Sequence, residues 1–129
     1  MDLKTYFENT KGFGVLSTAD KQGHVDAAVY SRPHIMEDGT IAFIMNDRLS
    51  HHHLQTNPHA AYLFREATDG YQGKRFFLTK VREEQDSELL AKLKRRVYTQ
   101  GKEHQGPKFL VFFKIDKELP LIGPGEETD

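Results

Sequence analysis

The chain is dominated by short segments in which apolar and polar residues alternate, a period that is typical of half-buried β-strands. Six such segments are rich in branched and aromatic side chains: 12–19, 24–32, 34–37, 40–46, 60–66 and 74–84. Asp38-Gly39 is a tight-turn signal between two of them and predicts an antiparallel hairpin. Nine Phe and five Tyr supply large apolar side chains for a β-rich core.

A seventh segment, 109–115, is apolar at successive positions rather than at alternate ones. This pattern predicts a strand that is buried on both faces, and we expect a second subunit to cover one of them. Residues 119–124 follow as an extended arm. We expect residues 124–129, which are mostly acidic or glycine, to form a loose tail.

Three segments show helical spacing of apolar residues. Asp2 can cap a helix that ends near Asn9, and a second helix is predicted from about Asp47 to Asn57, where Pro58 stops it. The third begins near Glu88 and carries an apolar stripe. With 129 residues the chain suits one domain, 1–129. The sequence therefore predicts a mainly β fold, a split β-barrel of about six or seven antiparallel strands with two or three peripheral helices.

The central helix is a candidate anion-binding site. Arg48 and Ser50 lie in its first turn, beside backbone N–H groups that have no intrahelical partner. Arg32 precedes the hairpin and Arg48 follows it, so the two arginines are expected to reach the same side of the sheet and share one phosphate. The alternative is a plain connecting helix, in which each arginine is solvated or pairs with a nearby carboxylate.

Three consecutive histidines, His51 to His53, follow Ser50 in the same helix. Adjacent helical residues point about 100° apart, so all three cannot bind one metal ion, and no metal site is predicted. A metal or haem would need a further ligand from elsewhere, such as His34, His59 or His104, and a haem-binding protein would use one of the histidines 51–53.

Composition excludes several classes of partner and of catalytic site. Lys and Arg number 18 against 19 Asp and Glu, and this balance gives no reason to expect nucleic acid or an acidic membrane as a partner. The absence of cysteine excludes disulfides, thiolate catalysis and cysteine-bound zinc or iron–sulfur clusters. No apolar run approaches the roughly 20 residues that span a bilayer, and no signal peptide opens the chain, so we expect a cytoplasmic protein.

The order of these features resembles the pyridoxamine 5′-phosphate oxidase-like FMN-binding split-barrel proteins. The similarity covers about residues 10–85 and, more loosely, the end of the last strand. Its motifs are Gly14-Val15-Leu16-Ser17-Thr18, Ser31-Arg32-Pro33, Phe43-Ile44-Met45-Asn46, Arg48-Leu49-Ser50 and Leu54-Gln55-Thr56-Asn57-Pro58.

The resemblance implies a homodimer with FMN in a cleft between the subunits. The FMN phosphate would be held by Arg32 and by the Arg48 to Ser50 segment, while the flavin ring would lie along 32–35 and 45–46. A polar side chain is often found near the cofactor at the position of Arg75. The cofactor-binding residues implied in this way are Arg32, Pro33, His34, Ile35, Met45, Asn46, Arg48, Ser50, His51 and Arg75.

The chain departs from the family pattern in two places. Family oxidases carry a Ser-Arg-Lys cluster where this chain has Arg48-Leu49-Ser50, so one phosphate-binding cation is missing. The substrate-binding basic residues of the C-terminal region are also missing, so true pyridoxamine 5′-phosphate oxidase activity is not expected. The resemblance implies an FMN-dependent oxidoreductase that passes electrons from a nicotinamide nucleotide or similar donor to a small acceptor. The alternatives are a non-enzymatic flavin- or haem-binding module and a deazaflavin-binding relative.

Overall fold

The computed structural model describes residues 2–97 and 106–124 and contains one antiparallel sheet of seven strands with three helices. The mainly β fold and its element count confirm the prediction from sequence. The helices are α1 (Leu3–Asn9), α2 (Leu49–Thr56) and α3 (Glu88–Val97). The strands are β1 (Gly12–Ala19), β2 (Val25–Val29), β3 (His34–Ile35), β4 (Ile41–Asn46), β5 (His59–Glu66), β6 (Gly73–Gln85) and β7 (Lys108–Pro120).

The connection between the two edge strands forces the sheet to curl. The strand order is β2-β1-β5-β6-β7-β4-β3, so the two edges are consecutive in sequence. Seven flat strands would be about 29 Å wide, because neighbouring strands lie about 4.8 Å apart. The chain from Val29 to His34 can span at most about 19 Å. The sheet therefore rolls into a barrel that is split between β2 and β3, where residues 30–33 cross the gap; we call this segment the strap.

The barrel interior holds the main hydrophobic core. Alternate residues of β1, β4, β5, β6 and β7 point inward and meet α1, which closes one end with Tyr6 and Phe7. The Phe7 ring packs edge-on against Phe64 with centroids 5.1 Å apart. Asp2 caps α1 as predicted, because its carboxylate accepts a 3.2 Å hydrogen bond from the Lys4 N–H.

The β7 run is buried on both faces, but not in the way that the sequence suggested. Val111 and Phe113 point into the barrel, whereas Leu110 and Phe112 pack under α3 against Leu90 and other apolar residues. Leu110 and Phe112 are at most 1% exposed within a single chain. The expectation that a second subunit covers this face is therefore wrong, because the amphipathic helix α3 supplies the cover.

Several element boundaries also differ from the prediction. β2 ends at Val29 rather than near Arg32, because the chain must leave the sheet there to form the strap. β7 extends to Pro120 and pairs with β6 up to Lys74, so the predicted arm begins two residues too early. The loose tail was predicted for 124–129; its last five residues lie outside the described part of the chain.

The strap is fastened to the barrel from inside. Tyr62 on β5 is fully buried, and its hydroxyl donates to the backbone carbonyls of Tyr30 and Ser31 at 3.2 and 3.0 Å. The N–H of Tyr30 donates to the carbonyl of Gly14 on β1 at 3.0 Å. Burial raises the pKa of Tyr62, so its hydroxyl stays a donor well into the alkaline range.

Gly14 leaves the space that these contacts need. A Cβ at position 14 would lie 2.7 Å from the Tyr30 carbonyl oxygen and closer still to the Tyr62 hydroxyl. We expect Gly14→Ala to lower the free energy of unfolding by about 1–3 kcal/mol, the range for overpacking a tight site. Urea unfolding followed by circular dichroism measures the loss.

The matched control is Gly70→Ala, because nothing lies within 4 Å of a Cβ at that position. This variant should stay within about 0.5 kcal/mol of the wild type. Equal stability of the Gly14→Ala variant and the wild type would contradict the described fastening of the strap.

Candidate functional site

The first turn of α2 presents free backbone donors. The N-cap residue is Arg48, and no side chain caps the helix. The first intrahelical hydrogen bond runs from the His52 N–H to the Arg48 carbonyl, so the three preceding N–H groups, of residues 49–51, have no intrahelical acceptor. The helix begins two residues later than predicted, because Asp47 does not cap it. Its carboxylate instead lies 2.9 Å from Nε2 of His52.

A cavity of about 450 Å³ lies at this turn; we call it the α2 cavity. Its polar lining includes Arg48, Ser50 and Asn46, three of the residues predicted from sequence. Its apolar wall comes from both sides of the barrel split and comprises Ala28, Val29, Ile44 and Leu49. Arginine, hydroxyl and free N–H groups at a helix N-terminus are the donors that bind phosphate groups in proteins.

Tyr30 and Asp26 also line the α2 cavity, and neither was predicted from sequence. The Tyr30 hydroxyl forms a hydrogen bond with Ser50. Burial raises the pKa of Tyr30, although the contacts with Ser50 and Arg48 oppose this shift. Tyr30 thus adds a neutral hydroxyl to the donor set, and Asp26 adds a carboxylate that can accept hydrogen bonds from ligand hydroxyl groups.

Arg32 does not share the α2 cavity. Its Nη1 donates to the backbone carbonyls of Phe7 and Thr10 at 2.8 and 2.9 Å, and so ties the strap to the end of α1. It lines a separate cavity of about 250 Å³ beside α1, the α1 cavity, together with Pro33, His34 and Ile35. The expectation that Arg32 and Arg48 hold one phosphate between them needs correction, because the C-terminal carbonyls of α1 engage Arg32.

The remaining three predicted residues, Met45, His51 and Arg75, line neither cavity. The Met45 side chain is 1% exposed and points into the core, so only its backbone can face a ligand. Arg75 donates from Nε to the Pro120 carbonyl at 2.9 Å and from Nη2 to the Gly123 carbonyl. It therefore holds the chain segment after β7 against β6.

The three histidines have three different environments. His51 and His53 are buried, His51 against Glu83 and Phe109, and His53 with Nδ1 2.9 Å from the Thr18 hydroxyl. The side chain of His52 is exposed and pairs with Asp47. Across the two described ranges, no three His, Asp or Glu side chains are grouped closely enough to hold a metal ion.

Neither a protein-family model nor a curated protein sequence matches the chain. Solved structures do match it. An FMN-binding protein from Syntrophomonas wolfei superimposes with a TM-score of 0.74 at 22% identity, over 92% of this chain and 83% of that one. A pyridoxamine 5′-phosphate oxidase-like protein from Lactobacillus delbrueckii gives 0.65 at 11% identity, over 92% of both chains. This chain has the pyridoxamine 5′-phosphate oxidase-like split-barrel fold.

The same split barrel also occurs in proteins named for other ligands. The haem storage protein HutZ from Vibrio cholerae matches with a TM-score of 0.64 at 16% identity, over 92% of this chain and 91% of that one. At such identities the split barrel establishes the fold and leaves the ligand to be argued from the site. Within the described residues, none of the helices combines the length and apolar character needed to cross a bilayer.

Proposed function

We propose that this chain binds FMN with the phosphate in the α2 cavity, and that it works as an FMN-dependent oxidoreductase. The observation that carries the proposal is the donor set of that cavity: Arg48, the Ser50 and Tyr30 hydroxyls, and the free N–H groups of the first α2 turn. These groups converge in a fold that an FMN-binding protein shares.

The cavity fits such a ligand in charge and in size. One arginine with neutral hydroxyl and N–H donors can hold a phosphate monoester without a second cation. The volume of about 450 Å³ is large enough for more than a phosphate. The carboxylate of Asp26 faces the same space and can accept hydrogen bonds from the hydroxyl groups of a ribityl chain.

We further propose that the protein is a homodimer with the cofactor cleft at its interface. β2, β1, β5 and β6 are neighbours, and their registers place five exposed apolar side chains on one outer surface. This outer apolar face consists of Phe13, Val25, Val29, Leu63 and Phe77. Val29 also lines the α2 cavity, so the face continues into the site. A second copy that covers the face would close the open side of the cavity and bring Arg75, beside Leu63, to the interface.

Bound FMN would supply the redox chemistry, which is the transfer of electrons between a nicotinamide nucleotide or similar donor and a small acceptor. The residues of the chain bind and orient it and keep water from its apolar parts. Haem is less well supported, because two of the three candidate histidines are buried against protein groups. A deazaflavin would use the same phosphate donors and is distinguished by the test below.

The test is a fluorescence titration of the purified protein with FMN and, in parallel, with riboflavin, which lacks the phosphate. We expect saturable FMN binding, and weaker riboflavin binding by at least about 10- to 150-fold, the contribution of a single charge-assisted hydrogen bond. Sedimentation equilibrium at micromolar concentration should give about twice the chain mass of 14.9 kDa.

Equal binding of FMN and riboflavin would contradict the phosphate site. Failure to bind either flavin, with binding of a deazaflavin phosphate or of haem in the same assay, would replace FMN by that ligand. A monomeric mass would overturn the proposed interface on the outer apolar face.

A further inference from the structure

The ring of His51 is clamped against the sheet. It stacks on Phe109 of β7 with centroids 3.7 Å apart and planes inclined by 13°. Its Nε2 lies 3.0 Å from Oε2 of Glu83 on β6. His51 is 6% exposed, although it lies in the first turn of a short helix next to Ser50. The side chain therefore joins the start of α2 to two strands of the barrel.

Glu83 is the centre of this contact. Its carboxylate accepts hydrogen bonds from Lys80 Nζ at 2.8 Å and from Gln55 Nε2 at 3.2 Å, in addition to that from His51. Burial alone would raise the pKa of Glu83, but the hydrogen bonds from Lys80, His51 and Gln55 lower it to about 2. An ionised carboxylate only accepts hydrogen bonds, so it fixes the proton of neutral His51 on Nε2.

The other ring nitrogen faces a different neighbour. Nδ1 of His51 is buried, has no hydrogen-bond partner, and lies 3.8 Å from a carboxylate oxygen of Asp47. The His51 ring therefore lies between the carboxylates of Asp47 on its own segment and Glu83 on β6.

We propose that His51 is a positioning residue for the phosphate donors of α2, held in place by Glu83 and Phe109. The neighbouring Ser50 lines the α2 cavity and belongs to its donor set, so the clamp on the His51 ring fixes the direction of the Ser50 donors. The inference rests on the proposed function, because it assigns a role in binding the same phosphate.

The test compares His51→Gln with the matched control His52→Gln, which alters the exposed neighbour. FMN and riboflavin affinities are measured at pH 7 for both variants and the wild type. We expect His51→Gln to weaken FMN binding about tenfold, the effect of one lost hydrogen bond to a charged group, and His52→Gln to have no effect.

The affinity for riboflavin, which lacks the phosphate, should be the same in His51→Gln and the wild type, because only the phosphate donors lose their position. Equal losses of FMN and riboflavin affinity would reduce His51 to a packing role and overturn the proposal. If His51→Gln does not fold, Glu83→Ala removes the acceptor of the same hydrogen bond from the partly exposed side and should also weaken FMN binding. Wild-type affinity in the tested variant overturns the inference alone, whereas a wild type that binds no FMN overturns the proposed function and the inference with it.

Discussion

Replacement of Arg48 by alanine is expected to weaken FMN binding by about 1.5–3 kcal/mol, or about 10- to 150-fold. Arg48 is the arginine in the lining of the α2 cavity, and no second Arg or Lys lies in the Arg48-Leu49-Ser50 segment. The remaining donors are neutral and cannot replace a bidentate guanidinium. Fluorescence titration with FMN at fixed ionic strength measures the change.

A suitable control is Lys114→Ala, which removes one exposed positive charge from β7, where Lys114 Nζ lies 3.9 Å from Asp116. It should leave the FMN affinity within about twofold of the wild type, because a distant exposed charge is screened. The effect of Arg48→Ala should also disappear when riboflavin replaces FMN. Unchanged FMN affinity in the Arg48→Ala variant would remove the proposed phosphate site.

Phe112→Ala is expected to lower the free energy of unfolding by about 3–5 kcal/mol, the range for truncating a buried phenylalanine. The side chain is 1% exposed under α3, and the guanidinium of Arg82 covers its ring with 3.7 Å between the guanidinium carbon and the centroid. Truncation would leave a cavity between α3 and the sheet and remove the cation–π contact. Chemical denaturation monitored by circular dichroism measures the loss.

Phe112→Leu serves as the comparison, because it keeps most of the apolar volume and should cost much less than the alanine variant. The stability loss of Phe112→Ala is also measured at several protein concentrations. If α3 of the same chain covers Phe112, the loss for Phe112→Ala is the same at low and high protein concentration once it is expressed relative to the wild type. A loss below about 1 kcal/mol would contradict burial under α3.

The fold was predictable because its signals are local. Alternation of apolar residues marks most of the strands, and Asp38-Gly39 correctly predicted the hairpin in which Ile35 pairs with Ile41. The apolar run 109–115 also predicted a strand that is buried on both faces. The pattern could not show which element covers the second face. That choice depends on where α3 packs, which is a contact between distant parts of the chain.

The candidate site was predictable only in part, because some of its residues are brought together by contacts between distant parts of the chain. Arg48, Ser50 and Asn46 were found because the strand–helix junction that joins them is continuous in sequence. Arg32 was assigned to the same phosphate, but carbonyls of residues 22 and 25 positions away in sequence engage it. Tyr30 lies in a segment in which apolar and polar residues alternate as in a strand. This pattern does not show that the Tyr30 hydroxyl contacts Ser50 across the barrel split.

The strap has a consequence for how the barrel opens. It closes the seam between the two sheet edges, and its residues Ser31 and Arg32 are adjacent in sequence yet form part of the walls of two different cavities. Local opening of the seam would therefore dismantle the α2 cavity before the core unfolds. A ligand that binds only when the seam is closed shifts the equilibrium away from local opening. Binding in the α2 cavity should therefore slow amide hydrogen exchange in β2 and β3 in proportion to its occupancy.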